Sequence, residues 1–377
     1  MTEQEIDQNL IFSFVRGSHA YGLNNADSDV DIGSVALPNL AVITGFDSFE
    51  QKDDYVDEKG EKTDKVVYNI MKALDLIENN NPNMLDFLYA PDHCIRLLRP
   101  EWETIMSVRD QFLCKKAKWA YQGYALSQLS RIETHRGYLL NPMKKPTREQ
   151  FKLPEVSIFP ANQLAVIARL ASDYIDDPKM QDKFYSDMSA LFDHEGAILF
   201  KKYINRDMAP FAIADFKQRQ DAFLRTITSV SQKFLKDEFQ DIARRELKYL
   251  AAEKQWTDYK RWDKERNPKR KLLEQKCGYD AKHAGHLVRL LKVGLEIMEG
   301  KGVLVDRTNI DREELYEIRM GNVKFDIVMQ KAKDLNDAIE NAYKTNNILP
   351  LTQDPNLVDG LKKKIVNRIL AKGGLVV

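Results

Sequence analysis

Two groups of residues in this sequence have the types and spacing to do chemistry. The first is Gly17-Ser18, followed after a short polar stretch by Asp29-Val30-Asp31. Read as part of a strand, Asp29 and Asp31 share one face, because alternate strand residues point the same way, while Val30 and Ile32 turn to the other side and into a core. Neighbouring carboxylates repel each other and resist desolvation. A divalent cation relieves both, and hard oxygen ligands suit Mg2+ (or Mn2+) rather than zinc. Gly17 permits close backbone approach, and a short helix starting at Ser18 would aim free N–H groups and a positive dipole end at a phosphate. Each piece alone has a plainer reading, as an ordinary turn and as solvated aspartates on an edge strand. The combination, with apolar strands on both sides, points to a metal site beside a phosphate site.

The second group lies on the helix predicted from Asp280 to Glu299, where Lys282, His286 and Arg289 fall within about 60° of one another on a 3.6-residue period. Their stripe continues through Val293 and Ile297, so it faces protein, and Lys292, Glu296 and Glu299 are expected on the opposite, exposed side. Inward cations need anions, which a bound triphosphate or the carboxylates of the first group would supply; a structural salt-bridge network is the alternative. His283 and His286 lack a third ligand and read as satisfied histidines rather than a metal pair. Tyr124, Gln128 and Arg131 form a similar stripe on the helix starting near Trp119, either a helix–helix contact or a second wall. Lys260 to Lys276 holds eight basic and three acidic residues, with Trp256, Tyr259 and Trp262 interleaved. That segment reads as the buried aromatic stripe of an amphipathic helix, or as a surface for unpaired nucleic acid.

These residues need elements to position them. Leu10–Val15, Val30–Leu37 and Val66–Tyr68 are short apolar runs bounded by turn residues, and Ile70–Leu76 reads as a helix that Asn69 can cap before a turn at Asn80–Asn83. The acidic stretch from Pro38 to Asp64 reads as a long surface loop. From about Cys114 the pattern is helical: Trp119–Ile132, Gln163–Ile175, Phe211–Glu238, Arg244–Trp256, Asp280–Glu299 and Val323–Ala342, interrupted by the proline-containing Asn141–Pro160. The fold class is α+β: a small α/β domain with a mixed sheet over residues 1–110, then a larger all-α domain over 111–377 that closes the cleft.

Composition bounds the rest. With 57 basic and 57 acidic residues the net charge is zero, so attraction to nucleic acid must come from a local patch. Three scattered cysteines, Cys94, Cys114 and Cys277, offer neither a zinc pair nor a disulfide framework. No secretory leader and no run of about 18 apolar residues is present, so a cytoplasmic protein with no membrane partner is expected.

Gly17-Ser18-x10-Asp29-Val30-Asp31 resembles the signature of the DNA polymerase β-like nucleotidyltransferase superfamily. The longer strings Arg16-Gly17-Ser18-His19-Ala20-Tyr21-Gly22-Leu23 and Ser28-Asp29-Val30-Asp31 are similar to its bacterial and phage branch, which includes proteins associated with RNA repair. The likeness extends through Asn81-Pro82, Asn267–Arg270 and Gly278–Ala284 to His286 and Arg289. It implies a two-metal transfer of a nucleoside monophosphate from a nucleoside triphosphate (NTP) to a hydroxyl, with release of pyrophosphate and RNA as the acceptor it points to. Transfer to a protein or small-molecule hydroxyl, or a catalytically silent nucleotide- or RNA-binding module, are the alternatives. It also implies a third carboxylate from a later strand. Asp64 is the candidate, better placed than Glu61 or Asp57, with a solvated strand-end charge as its plainer reading. The expected site is then Asp29, Asp31 and Asp64 for catalysis and metal, and Gly17, Ser18, Lys282, His286 and Arg289 for the nucleotide.

Overall fold

The computed structural model describes residues 1–26, 28–53, 55, 64–155, 177–179, 182–183 and 237–372. The expected helix Gln163–Ile175 lies outside these residues, as do Asp57, Glu61 and all but the last two residues of Phe211–Glu238.

After a short helix α1 (Glu3–Gln8), strands β1 (Leu10–Arg16), β2 (Asp31–Ala36), β3 (Gln51–Lys52), β4 (Lys65–Asn69) and β5 (Ile95–Leu98) form one sheet ordered β3-β4-β2-β1-β5. β1 runs antiparallel to β2 and β5, and β3 antiparallel to β4, while β2 and β4 are parallel. The sheet is therefore mixed, and with the helical remainder the fold is α+β.

Local chemistry explains most boundaries. The Asn69 side chain accepts from the Met71 N–H and starts α3 (Ile70–Glu78). Asn81 caps α4 (Pro82–Leu88) through two backbone N–H groups, with Pro82 pre-set for a first helical turn. The expected turn at Asn80–Asn83 is thus a helix start. The connection from Pro38 is less irregular than expected, since it carries α2 (Leu40–Ile43) and β3. Phe49 and Tyr55 are buried there against Ile6, Ala36 and Val67. β2 begins at Asp31 rather than Val30, and Val30 is 49% exposed instead of entering the core.

The chain divides into two compact units, residues 1–141 with 267–377, and residues 142–266; the first runs across residue 110, where the sequence suggests a boundary. In the first unit α5 (Pro100–Met106) brings Trp102 onto Phe12, and α4 brings Phe87 onto Phe14. Gly33 makes this possible, because a Cβ there would stand 2.5 Å from the Phe87 ring and 2.9 Å from that of Phe14. The long helix α6 (Ala117–Leu140) packs along a second helix, Ala281–Met298, which buries Val288, Val293 and Ile297. In the second unit helix α7 (Asp237–Glu265) supplies Glu246, 1% exposed, to a two-pronged pair with Arg148 at 2.8 and 2.7 Å. The remaining helices of the first unit are α8 (Pro268–Cys277), α9 (Ala281–Met298), α10 (Arg312–Arg319), α11 (Phe325–Thr345) and α12 (Pro355–Lys372). Among the described residues no helix is long and apolar enough to cross a membrane.

Candidate active site

At the end of β1 the chain turns at Gly17, whose φ of +69° lies in the left-handed region. Residues 17–22 form successive turns, closed by Tyr21 N–H to Gly17 O at 3.1 Å and Leu23 N–H to Ser18 O at 2.8 Å, and not the short helix expected after Ser18. Backbone N–H groups of Ser18, His19 and Ala20 have no acceptor among the described residues, and such runs of free N–H groups form anion-binding concavities. An ideal Cβ on Gly17 would lie 2.5 Å from Asp31 Oδ2, so the absence of a side chain is what lets the loop sit against the carboxylate.

Asp31 opens β2, directly across from Arg16 on β1. On the other side, Ile32 pairs with Lys65 in parallel register and its N–H donates to Asp64 O at 2.9 Å, which places Asp64 beside Asp31 at the same sheet edge. Asp29 precedes the strand and is exposed. The Asp31 carboxyl is held above the ordinary carboxylate range, first by burial and then by the negative charges of Asp64 and Asp29, against the pull of Arg16 and Lys282. The three carboxylates do not converge to within 4.8 Å, a separation that only His135, Asp280 and His283 meet among the described residues. They do gather like charge at one edge, which is the condition a divalent cation relieves.

Facing this edge is a pocket of about 300 Å³ lined by Gly17, Ser18, Tyr21, Asp31, Gln128, Arg131, Lys282, His283, His286, Arg289 and Arg319, with a few apolar residues. The two groups singled out in the sequence thus meet in one cavity within the first unit. Lys282 lies within electrostatic reach of Asp31 and Asp29. Its ammonium is nevertheless held below the usual lysine range by partial desolvation and by Arg270 and Arg319. Arg319 is likewise lowered by burial and by Arg270. Arg131, Lys282 and Arg319 make no ion pair among the described residues, so the pocket carries uncompensated positive charge.

The other two members of the stripe act differently from a cationic row. His286 is held well below the ordinary imidazole range, chiefly by burial and then by Arg289. Arg289, 2% exposed, stacks 3.6 Å over the Tyr21 ring and pairs with Asp86 at 3.6 Å, while the Tyr21 hydroxyl donates to Asp86 Oδ2 at 2.6 Å. This ties α9 to α4 and to the Gly17 loop, and it leaves Arg289 Nε buried without a partner. Lys292 and Glu296 are not on an exposed side. Lys292 pairs with Asp311 and Glu314, and Glu296 with the fully buried Arg307, which also holds Asp311. An exposed-looking helix face gave no hint of a partner segment at 307–314.

Gln128 and Arg131 line the pocket, whereas Tyr124 accepts from Asn81 Nδ2 at 2.7 Å outside it. Trp256, Tyr259 and Trp262 are half-buried, and the Arg266 guanidinium lies 3.6 Å from the Trp262 ring. Sequence reasoning missed Arg319, Arg16, Tyr21 and Asp86 as site residues. Asp86 carried a signal, a lone acid in the apolar run Met84-Leu85-Asp86-Phe87-Leu88. Arg319, at the end of a charged helix, carried none.

Searches of curated proteins and of solved structures found no match. Residues 1–145 match the model of the RNA repair pathway DNA polymerase beta family. These residues, which contain Gly17, Ser18, the three aspartates and all of α6, are thus similar to the DNA polymerase β-like nucleotidyltransferases of the RNA-repair type.

Proposed function

We propose that this chain transfers a nucleoside monophosphate from a nucleoside triphosphate to a hydroxyl, with RNA as the acceptor and divalent cations held by Asp29, Asp31 and Asp64. The observation that carries the reading is the opposition, across one pocket, of Asp31 at the carboxylate edge to cations that make no ion pair among the described residues, with Gly17 and Ser18 of the loop in its lining. Carboxylate oxygens are the donors magnesium prefers, and the raised Asp31 carboxyl marks a charge that a cation would stabilise. When bound, such ions lower the pKa of the attacking hydroxyl and neutralise the departing pyrophosphate.

The chain's own residues do the positioning. Ser18 and its neighbours offer N–H groups to phosphate oxygens, and Lys282, Arg131 and Arg319 offer the charge a triphosphate needs in a partly desolvated pocket. Arg289 fixes Tyr21 and so the loop that begins at Gly17. Helices from residue 111 onward, α6 and α9 above all, form the wall facing the carboxylates, which supports the reading that the helical part closes the nucleotide cleft. The net charge of zero favours a structured RNA end over tight non-specific binding along a strand.

Incubation with each labelled triphosphate, magnesium or manganese, and total RNA or total protein tests this directly. RNA should acquire label with the wild-type protein and not with Asp31→Asn. Label appearing in protein instead would transfer the reading to a protein hydroxyl, and no label in any arm would leave a nucleotide-binding module.

A further inference from the structure

A second cluster, of which His283 also lines the pocket, has no role in the proposed transfer. His135 on α6, and Asp280 and His283 at the start of α9, bring one nitrogen or oxygen each to within 4.8 Å of one another. His135 Nδ1 lies 2.8 Å from Asp280 Oδ2, and His283 Nε2 lies 3.6 Å from the same oxygen. Donors around a tetrahedral zinc ion with bonds of ~2.0 Å stand roughly 3.3 Å apart, and the two distances bracket that spacing.

The surroundings are those of a ligand set. Asp280 is 1% exposed, and its other oxygen accepts from the His283 N–H at 3.1 Å as the cap of α9, which fixes the carboxylate. His283 Nδ1 lies 2.7 Å from Gln128 Oε1. With that carbonyl oxygen as acceptor, Nδ1 carries the proton and Nε2 turns its lone pair toward Asp280. An outer hydrogen bond that sets the tautomer of a histidine is what metal-ligating imidazoles ordinarily have. Two imidazole nitrogens and one carboxylate oxygen suit a zinc-class ion, whereas the aspartates at the sheet edge offer oxygen alone.

We propose that His135, Asp280 and His283 bind one divalent transition ion of the zinc class, separate from the ions of the carboxylate edge. It joins α6 to α9 next to Gln128, Arg131 and Lys282, with His283 itself in the pocket lining. The sequence shows why the cluster escapes a linear reading: His283 and Asp280 are close in the chain, but the third donor comes from a helix well over a hundred residues earlier.

The test uses the full chain without a histidine tag, dialysed in excess magnesium to occupy oxygen-only sites, then titrated with zinc or with Co2+ as a visible-absorbing substitute. The wild type should bind one equivalent, show the absorption of cobalt bound to nitrogen, and melt at a higher temperature with zinc. His135→Gln and His283→Gln should each lose all three effects, Asp31→Asn should keep them, and Gln128→Leu should weaken binding by about 10- to 100-fold. A wild type that takes up no stoichiometric ion would overturn the proposal and make the cluster a histidine–carboxylate hydrogen-bond network. Unchanged uptake by both histidine variants would overturn it equally, and the wild-type titration decides the matter even if a variant fails to fold.

Discussion

Gly17 and Asp31 constrain each other. The left-handed backbone at residue 17 and the 2.5 Å approach of Asp31 Oδ2 leave no room for a side chain. Gly17→Ala should cost about 1–2 kcal/mol from the backbone alone, read from urea unfolding, and should also lower magnesium affinity because the carboxylate must move. An alanine variant with wild-type metal affinity would reduce the loop to a turn. Asp31 has the opposite sign of effect on stability. Its folded pKa lies above its unfolded value, so its favourable contribution is complete below the unfolded pKa and is lost as pH rises through the folded one. In chelator, Asp31→Asn should therefore melt at or above the wild-type temperature at neutral pH, with the gap closing toward acid, while transfer is abolished. A melting temperature that falls at neutral pH would show that Asp31 is held by attraction and not by repulsion. At this scale the site was legible where its parts are near in sequence, as Gly17, Ser18 and the aspartates are. It was illegible where a residue such as Arg319 enters from a distant helix with no pattern of its own.

The elements were legible in proportion to their burial. α9 and α11 announce themselves because one face of each packs and the period of apolar residues follows, whereas α6 buries Lys118, Gln122 and Gln128 and exposes Trp119 and Leu126. β3 and β5 do not, being a two-residue pair and a half-buried edge strand, which leave too few alternating positions to count. The start of β2 was misplaced because Val30 has the residue type of a strand but no sheet partner to bury it. What holds the elements in place around the pocket is the set Asp86, Tyr21 and Arg289. Burial pushes the Asp86 carboxyl up despite the Arg289 guanidinium and the Tyr21 hydroxyl beside it, so this anion depends on its partners. Arg289→Met should destabilise the protein by about 3–5 kcal/mol in urea titrations, since it strands a buried charge. Tyr21→Phe should cost about 1.5–3 kcal/mol. Combining Arg289→Met with Asp86→Leu should recover much of the loss, and a double variant as unstable as the sum of the two single ones would mean that the pair is not coupled.

Considered whole, the molecule has balanced charge, yet it sets a carboxylate edge against cations that make no ion pair among the described residues. Both halves of the pocket hold charges disfavoured first by burial and then by like-charged neighbours, as the raised Asp31 and the lowered Lys282 and Arg319 record. Two kinds of ligand should then stabilise the fold independently, each through its own half. Magnesium alone should raise the melting temperature of the wild type and not of Asp31→Asn. Inorganic triphosphate in chelator should raise it for the wild type and much less for Lys282→Ala or Arg319→Ala. At a ligand concentration of about 100 times Kd the stabilisation is about 2.7 kcal/mol. Each deleted cation should remove about 1.5–3 kcal/mol of triphosphate binding, the range for a hydrogen bond to a charged group. Without ligand, Lys282→Ala should be no less stable than the wild type, because burial and then Arg270 and Arg319 disfavour its charge more than Asp31 and Asp29 favour it, and it makes no ion pair among the described residues. That last arm separates a binding residue from a structural one: if the variant without ligand unfolds more easily, Lys282 is holding the fold together, and the anion site must be sought elsewhere.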